Sequence, residues 1–409
     1  MDTIYKPIVV DTCAIMSDSN ILENLINLGY SIIINIVTVE ELDSLKTNHD
    51  YCKAKQARHA IRAIEKFKNN IRFDIGRNVD DLLISESPNV YNINDDIITT
   101  CAKRNRSMLA TNDLNLKVKS KIIGVDILDY NLHQNNYLGY KIVNANDNEI
   151  ASVYEKPNEN IFQNLTNEYV VINDTNENFC DILKWNGSAY IPVINKNIKT
   201  MFFGDKFKPK DEYQRMAIDS LLTNQITCIT GKAGSGKSLL SLVVAMNLIE
   251  AGKYNRLVVL FNPCPVRGAS QLGYYSGDVV EKAMQSNIGN VLITKFGDRF
   301  LVDNYINSGK IKLVPMVDCR GMEINDDEIL WITEAENTTA DLMKICLSRV
   351  GSGAKVFVEG DFKQTDSSSY EENNGLKRVI EIFKDNSIFG YVDLQNIWRS
   401  KIAELADRL

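Results

Sequence analysis

Short apolar runs alternate with helical patterns along the first 130 residues of the chain. Residues with a high propensity for strands concentrate in four runs, which are Ile4–Val10, Ser31–Val37, Ser107–Ala110 and Lys121–Val125. Alternation of strands with helices is typical of a parallel sheet with crossover helices. The pattern therefore predicts an α/β domain over residues 1–130.

The pattern changes over residues 131–205, which are rich in Asn, Asp and Tyr and short of helical periodicity. Three alternating runs in this region predict a small β-rich linker module; they are Tyr169–Ile172, Cys180–Trp185 and Ala189–Val193. From Pro209 onward the strand–helix alternation returns and continues to Leu409. We therefore expect a second α/β domain over residues 206–409.

Composition narrows the class of protein. The chain of 409 residues is 44% hydrophobic and 24% charged, as expected of a globular protein with two cores. The net charge of -7 argues against binding nucleic acid by bulk charge, although a local basic face remains compatible with it. The 8 cysteines include no CxxC pair, and we find neither a signal peptide nor a membrane span. We expect a cytoplasmic protein without a membrane partner.

One segment fits the phosphate-binding motif G-x-x-x-x-G-K-[ST] without mismatch. Its residues are Gly231, Lys232, Ala233, Gly234, Ser235, Gly236, Lys237 and Ser238. The segment follows a strand-like run and opens a helical one, which is the context that the motif requires. The glycines let backbone N–H groups face phosphate oxygens, Lys237 reaches the β- and γ-phosphates, and the Ser238 hydroxyl coordinates Mg²⁺. The motif predicts a site for ATP and Mg²⁺ in a P-loop domain.

Two later apolar runs end in polar residues that suit ATP chemistry. Glu334, at the end of one run, is the candidate general base, and the alternative is a solvated residue that caps the next helix. The second run ends at Asp361 with Gln364 close behind, where ligands of parallel sheets bind. Arg399 either reaches a phosphate or pairs with a surface acid.

Acidic residues follow the strands of the N-terminal domain at their predicted ends. The candidates are Asp11, Glu40 or Glu41, Asp95 or Asp96, and Asp113. Oxygen ligands that converge at one sheet edge suit Mg²⁺ or Mn²⁺, and metal-bound water is a nucleophile for phosphodiesters. Each acid alone would more often be a helix cap or a solvated turn residue. Nearby, four basic residues share one helix face, which either tracks a phosphate backbone or is simply solvated; they are Lys55, Arg58, Arg62 and Lys66.

These motifs, taken in order, resemble a known fusion of two domains. The N-terminal part resembles a PIN-domain nuclease at Val10–Thr12, Val39–Lys46, Asn94–Asp95 with Ile98, and Thr111–Asp113. The C-terminal part resembles a PhoH-like P-loop ATPase, related to the first motor domain of superfamily 1 helicases. The matching residues are Ile229–Leu240, Leu272–Gly273, Gly277–Asp278, Glu281–Lys282, Glu334–Thr339, Ser348–Gly351, Gly360–Asp366, Asn374–Leu376 and Leu394–Ala406.

The resemblance implies roles that spacing does not show. Gln214 matches a glutamine that reads adenine, Gln364 a γ-phosphate sensor, and Arg399 a tail arginine that acts on ATP. The nuclease set becomes Asp11, Glu40, Asp95 and Asp113. Relatives are associated with ring oligomers, hexamers in particular, and with unwinding and cleavage of single-stranded RNA, with DNA as the other substrate class.

The chain departs from the family pattern at two positions. Thr333 stands where the family has an aspartate that helps hold Mg²⁺, and Asn262 stands where it usually has an arginine. The resemblance predicts an ATP-dependent RNA helicase or translocase coupled to a Mg²⁺- or Mn²⁺-dependent endoribonuclease. The alternative is an ATP-gated nucleic-acid clamp or scaffold, whose hydrolysis is weak because Thr333 carries no charge.

Overall fold

The chain folds into two compact units, Met1–Asn136 and Tyr137–Leu409. The computed structural model describes residues 6–18, 20–48, 51–86, 93–128, 137–203, 206–262, 281, 283–284, 287–365, 370 and 373–398. No helix in these ranges is long and apolar enough to cross a lipid bilayer.

The first unit is a parallel five-stranded sheet flanked by helices, as predicted. Its strand order is β3-β2-β1-β4-β5, and every neighbouring pair is parallel. The strands are β1 (Lys6–Val10), β2 (Tyr30–Asn35), β3 (Ile71–Asp74), β4 (Met108–Ala110) and β5 (Ile127–Leu128). The helices are α1 (Thr12–Ser17), α2 (Ile21–Asn27), α3 (Ile36–Leu45), α4 (Tyr51–Lys66), α5 (Asp81–Glu86), α6 (Ile93–Arg104) and α7 (Leu114–Ile122).

One predicted strand of this unit is wrong. The run Lys121–Val125 begins inside α7, and the strand that follows starts only at Ile127. Asp113 starts α7 by accepting hydrogen bonds from two backbone amides of the first helical turn. The apolar residues after Lys121 close that helix, and periodicity cannot separate so short a run from a strand.

The second unit begins with small sheets. β6 (Tyr140–Asn144), β7 (Tyr169–Asn173), β8 (Phe179–Trp185) and β9 (Tyr190–Pro192) form a sheet in that order, and β10 (Ile198–Lys199) pairs with β11 (Lys206–Phe207). The predicted runs at 169–172, 180–185 and 189–193 are confirmed as strands. Helix α8 (Asp147–Glu155) was not predicted, although Asn146 and Glu149 form a capping box at its start.

The rest of the second unit is a parallel six-stranded sheet of order β14-β13-β15-β16-β12-β17. Its strands are β12 (Ile226–Gly231), β13 (Arg256–Phe261), β14 (Ile311–Pro315), β15 (Glu328–Ile332), β16 (Lys355–Gly360) and β17 (Phe389–Leu394). Its helices are α9 (Glu212–Thr223), α10 (Lys237–Glu250), α11 (Asn287–Phe296), α12 (Arg299–Asn307), α13 (Ala340–Leu347) and α14 (Gly375–Phe383). This sheet confirms the predicted P-loop fold class.

The small sheets and the P-loop sheet share one hydrophobic core. Buried residues of the small sheets, such as Tyr169 and Ile182, belong to the same cluster as Leu240 of α10 and Trp331 of β15. Residues 137–203 are thus packed as part of the second unit.

Candidate functional site

The phosphate-binding loop connects strand β12, which lies between β16 and β17, to the N-terminus of α10. Three of its glycines have positive φ angles, 139° at Gly231, 89° at Gly234 and 104° at Gly236. A Cβ at Gly231 would lie 2.6 Å from the carbonyl oxygen of Leu394 on the neighbouring strand β17. The loop therefore needs glycine at this position both for its backbone angle and for space.

Gln214, on helix α9, forms a hydrogen bond with the backbone of the phosphate-binding loop. Its side-chain nitrogen donates to the Ser235 carbonyl at 2.9 Å, and its side-chain oxygen accepts from the Lys210 amide at 3.0 Å. The N-cap Asp211 in turn accepts from the Gln214 amide at 2.7 Å. Gln214 is 4% exposed. The structure thus places Gln214 against the P-loop itself, whereas its predicted contact with adenine stays a prediction.

Lys237 and Ser238 open α10 and face two different partners. The Lys237 ammonium group donates to the carbonyl oxygens of Gly231 and Lys232, the latter at 3.2 Å. The Ser238 hydroxyl donates to Glu359 at 2.8 Å. The lysine charge therefore lies within the loop that would receive phosphate oxygens, and the serine hydroxyl is tied to a carboxylate.

Glu359, at the end of β16, was not among the predicted site residues. Burial raises the pKa of its carboxyl, and hydrogen bonds from Ser238 and Ser241 together with the charge of Lys237 oppose that shift. Finding it required the strand order, because β16 lies directly beside β12 and ends level with the P-loop.

Thr333 and Glu334 follow β15, which β16 separates from the P-loop strand. The Thr333 hydroxyl donates to the Leu260 carbonyl at 3.3 Å and is buried. Glu334 has a φ of 50°, an uncommon backbone conformation for a residue with a side chain and one that often marks a functional position. Ser238, Thr333, Glu334, Glu359 and Asn262 line one small cavity beside the P-loop.

Asp361 and Gln364 follow β16. The Asp361 amide donates to Glu336 at 3.0 Å, and its carboxylate accepts from the Lys363 amide at 3.0 Å. Gln364 is exposed, and its amide donates to the Asp361 carbonyl at 2.9 Å. Burial raises the pKa of Glu336 to about 8. Asp361 therefore shapes the turn after the strand.

The predicted Arg399 lies outside the described residues, as do the motif residues 272–273 and 277–278. The residue before it, Trp398, was missed by sequence reasoning. Its backbone N–H donates to the Gly234 carbonyl at 3.0 Å, and its indole N–H donates to Asp211 at 2.6 Å. The tail after β17 therefore runs to the P-loop.

In the first unit, Asp11 directly follows β1, caps α1 and is buried. Its carboxylate accepts from the Thr12 amide at 2.6 Å, the Cys13 thiol at 2.7 Å and the Thr111 hydroxyl at 2.9 Å. Burial raises the pKa of Asp11, these hydrogen bonds oppose the shift, and the charge of Glu41 adds to it. Asp11 thus lies at the carboxyl end of the parallel sheet, as predicted.

Of the two glutamates, Glu41 and not the predicted Glu40 has its side chain at the Asp11 end of the sheet. Glu41 accepts from the Thr12 hydroxyl and from the Asn94 side chain, the latter at 2.9 Å. Glu40 instead pairs with Arg77, with its side chain 50% exposed. Both glutamates lie on α3, and successive helical residues point about 100° apart, so only one of them can face the sheet edge.

Asp95 and Asp113 complete the cluster. Burial raises the pKa of Asp95 to about 6, the charge of Lys119 opposes this, and the charges of Asp11, Asp113 and Glu41 add to it. Asp96 is held by Lys119 at 2.7 Å. The negative charges that act on Asp95 therefore come from the three other acids of this cluster.

The cluster suits a divalent cation in its chemistry. Its donors are carboxylate oxygens, which Mg²⁺ and Mn²⁺ prefer. Burial, and after it the charges of neighbouring acids, raises the pKa of Asp95, and a bound cation would oppose both effects. As positioned, no three His, Cys, Asp or Glu side chains in the described ranges are grouped to hold one ion. Metal binding would require these carboxylates to close around it.

The basic face of α4 is partly described. Arg58, Arg62 and Lys66 are exposed, and Lys66 pairs with Glu23 at 3.1 Å, while the side chain of Lys55 lies outside the described residues. Two of the predicted cations thus remain on the surface without an ion pair to a described acid. This face is compatible with phosphate binding and equally with a solvated helix.

Comparison with known proteins finds similarity in both units. Residues 206–408 match the family described as PhoH-like protein, and residues 8–131 match the PIN domain. Protein PhoH2 of Bacillus subtilis (strain 168) is 30% identical, with 99% of each chain covered. Protein PhoH2 of Thermobispora bispora is 23% identical over 74% of this chain and 70% of its own. Protein PhoH2 of Mycolicibacterium smegmatis is 31% identical over 48% of this chain and 45% of its own.

Proposed function

Because the chain belongs to the family of PhoH-like proteins that carry an N-terminal PIN domain, we propose that it is an ATP-driven motor on single-stranded RNA joined to a metal-dependent endoribonuclease. One observation carries the motor half of this proposal. The glycine-rich loop lies between a buried parallel strand and a helix N-terminus, with the Lys237 ammonium group inside it.

Different residues of the second unit would bind the phosphates of ATP, hold its metal ion and position water. Backbone N–H groups of the loop and Lys237 would bind the phosphates, and the Ser238 hydroxyl would help hold the nucleotide's Mg²⁺, which would supply charge neutralisation. Glu334, at the cavity beside Ser238, is the general base that positions water. Asp361 shapes the turn that presents Gln364.

Phosphate release tests the motor. We expect ATP hydrolysis that single-stranded RNA stimulates, and a loss of about 100-fold or more in Lys237→Ala, because the loop loses its charge on the phosphates. Lys253→Ala, an exposed lysine just after α10, is the matched control. A rate that Lys237→Ala leaves unchanged would sink the assignment.

For the nuclease half, we assign metal binding to Asp11, Glu41, Asp95 and Asp113, and the support is that the charges of the other three act on Asp95. They would hold Mg²⁺ or Mn²⁺, which would activate water.

Cleavage of labelled single-stranded RNA in the presence of Mn²⁺ tests this proposal, and Asp11→Asn should abolish cleavage. Asp43→Asn, on the exposed part of α3, is the control. Equal cleavage by Asp11→Asn and the parent would remove the nuclease, and labelled DNA tests the other substrate class.

A second candidate function is an ATP-gated clamp that binds nucleic acid and hydrolyses slowly. The observation in its favour is Thr333, whose uncharged hydroxyl is committed to the Leu260 carbonyl. A clamp would bind RNA more tightly with a non-hydrolysable ATP analogue while RNA leaves phosphate release unchanged. RNA-stimulated turnover favours the motor.

The proposal includes a ring of identical chains, hexameric by family resemblance. Light scattering with and without nucleotide tests this assembly. A monomer under both conditions at micromolar concentration would contradict it.

A further inference from the structure

Glu359 and Thr333 occupy equivalent places on adjacent strands. β15 and β16 pair with Ile332 opposite Val358, so the next step along the two strands places Thr333 beside Glu359. β16 then pairs with the P-loop strand, with Ile229 opposite Glu359. Residues in register on parallel strands project to the same face, about 4.8 Å apart. Glu359 is thus one strand closer to the P-loop than Thr333.

The Glu359 side chain is aimed at the first turn of α10. One carboxylate oxygen accepts from Ser238 at 2.8 Å, and the other accepts from Ser241 at 3.2 Å. Glu359 is 4% exposed. Its neighbours along the same cavity include Thr333 and Glu334. A buried carboxylate therefore contacts the hydroxyl that the P-loop offers to a metal.

Burying a carboxylate is costly unless a cation or hydrogen bonds compensate it. Two hydroxyl donors and the charge of Lys237 stabilise the Glu359 carboxylate, but no Lys or Arg in the described part of the chain lies within ion-pair distance of it. A Mg²⁺ ion beside a triphosphate, for its part, needs a protein oxygen with negative charge. Thr333 cannot provide one, because its hydroxyl is neutral and donates to Leu260.

We propose that Glu359 supplies the negative charge of the Mg²⁺–nucleotide site, in place of a carboxylate at position 333. The proposal rests on the proposed ATP-binding function and identifies the residue by which this chain retains its metal. Thr333 is neutral, and the carboxylate that replaces it in this role lies on the neighbouring strand β16.

Nucleotide affinity measured with and without metal tests this exchange. A fluorescent, non-hydrolysable ATP analogue is titrated in excess Mg²⁺ and again in EDTA. By linkage, the ratio of the two affinities reports how much more tightly bound nucleotide holds Mg²⁺ than free nucleotide does. We expect this ratio to fall about 10-fold or more in Glu359→Gln. Adding Thr333→Asp to that variant should restore it.

The control is Glu328→Gln, which makes the same chemical change at a buried glutamate at the opposite end of the adjacent strand β15. It should leave the ratio as in the parent, and thermal unfolding checks that each variant is folded. A parental ratio in Glu359→Gln, or a lost ratio that Thr333→Asp fails to restore, would overturn the proposal. If the parent binds no nucleotide even in excess Mg²⁺, the P-loop function itself fails, and this inference fails with it.

Discussion

Protonation of Glu336, a buried residue close to the proposed nucleotide site, makes the stability of the fold depend on pH. Its buried side chain accepts a hydrogen bond from the Asp361 amide at 3.0 Å, and burial raises its pKa from 4.5 to about 8. Between these two values the folded chain keeps a proton that the unfolded chain has lost. The stability that this protonated group contributes is therefore complete below pH 4.5 and is lost as the pH rises through about 8.

Glu336→Gln should remove this dependence, because glutamine keeps the acceptor oxygen and carries no charge. We expect the variant to be more stable than the parent near pH 9, by up to a few kcal/mol at about 1.4 kcal/mol per unit of pKa difference. The gain should shrink toward pH 5, as urea unfolding at several pH values would measure. The exposed Glu323→Gln is the control. A difference between Glu336→Gln and the parent that does not vary with pH would contradict the argument.

Glu40 and Glu41 offer a matched pair of neighbouring residues. Glu41 accepts from Thr12 and Asn94 at the acidic cluster, whereas Glu40 pairs with Arg77 at the surface. Glu41→Gln should lower metal-dependent RNA cleavage about 10- to 100-fold, as loss of a group at a metal site does. Glu40→Gln should cleave at the parental rate. The reverse order of effects would return the role to Glu40.

The sequence was sufficient to predict site residues where they belong to one contiguous motif. The eight-residue phosphate motif and Asp11 were found because each follows a recognisable strand, and the predicted resemblance to PIN–PhoH fusions is confirmed. Glu359 was missed because its role depends on strand order, which places β16 between β15 and β12. The residues alone left Glu40 and Glu41 as alternatives, and the resemblance selected Glu40. Helical phase, and not distance along the chain, decides which glutamate faces inward.

Close backbone contact between β17 and the segment before β6 depends on one glycine, Gly139. The Gly139 carbonyl accepts from the Tyr169 amide at 2.9 Å, and the Leu138 carbonyl accepts from the Asp393 amide at 3.0 Å. Gly139 has a φ of 81°, and a Cβ there would lie 1.8 Å from the Tyr391 carbonyl oxygen. No side chain fits without moving one of the two backbones.

Gly139→Ala should therefore destabilise the second unit by more than the backbone angle alone would. Gly252→Ala is the matched control, since Gly252 has a φ of 70° with no atom near its Cβ position. We expect a loss of about 1 kcal/mol for the control and of roughly 3 kcal/mol or more for Gly139→Ala. Urea unfolding measures both, and equal losses would show that the backbones separate easily.

Elements with a clear period or a strong cap were predictable, whereas ambiguous runs were not. Strands β7, β8 and β9 followed from alternation alone, but the apolar run at Lys121–Val125 belongs partly to a helix that Asp113 starts. Helix α8 was overlooked in a region dominated by Asn and Asp. Its capping box, Asn146 with Glu149, was the available signal.

A buried polar network connects residues 137–203 to helix α9 of the P-loop part of the second unit. Asp219 of α9 accepts from the Tyr169 hydroxyl at 2.8 Å and from the Ile194 amide at 2.9 Å. Lys184 of β8 lies 3.6 Å from the same carboxylate. Removing the small sheets would leave Asp219 without these partners and expose the shared apolar core.

Two fragments test this dependence. Residues 137–409 should unfold in one cooperative transition, because they retain the core and its polar network. Residues 206–409 should lack that transition and bind a hydrophobic dye, because they lose Tyr169 and its neighbours in the core. Equal urea midpoints for the two fragments would show that the P-loop sheet is stable without the small sheets.

The contact between the C-terminal tail and the P-loop also provides a built-in optical probe. The chain has three tryptophans, of which Trp185 and Trp331 are 8% and 0% exposed, whereas Trp398 is 41% exposed. Since the Trp398 backbone N–H donates to Gly234, we expect a ligand that rearranges the loop to change the environment of this indole. Quenching by acrylamide should therefore act mainly on the emission of Trp398, so that unlabelled protein reports loop occupancy in real time.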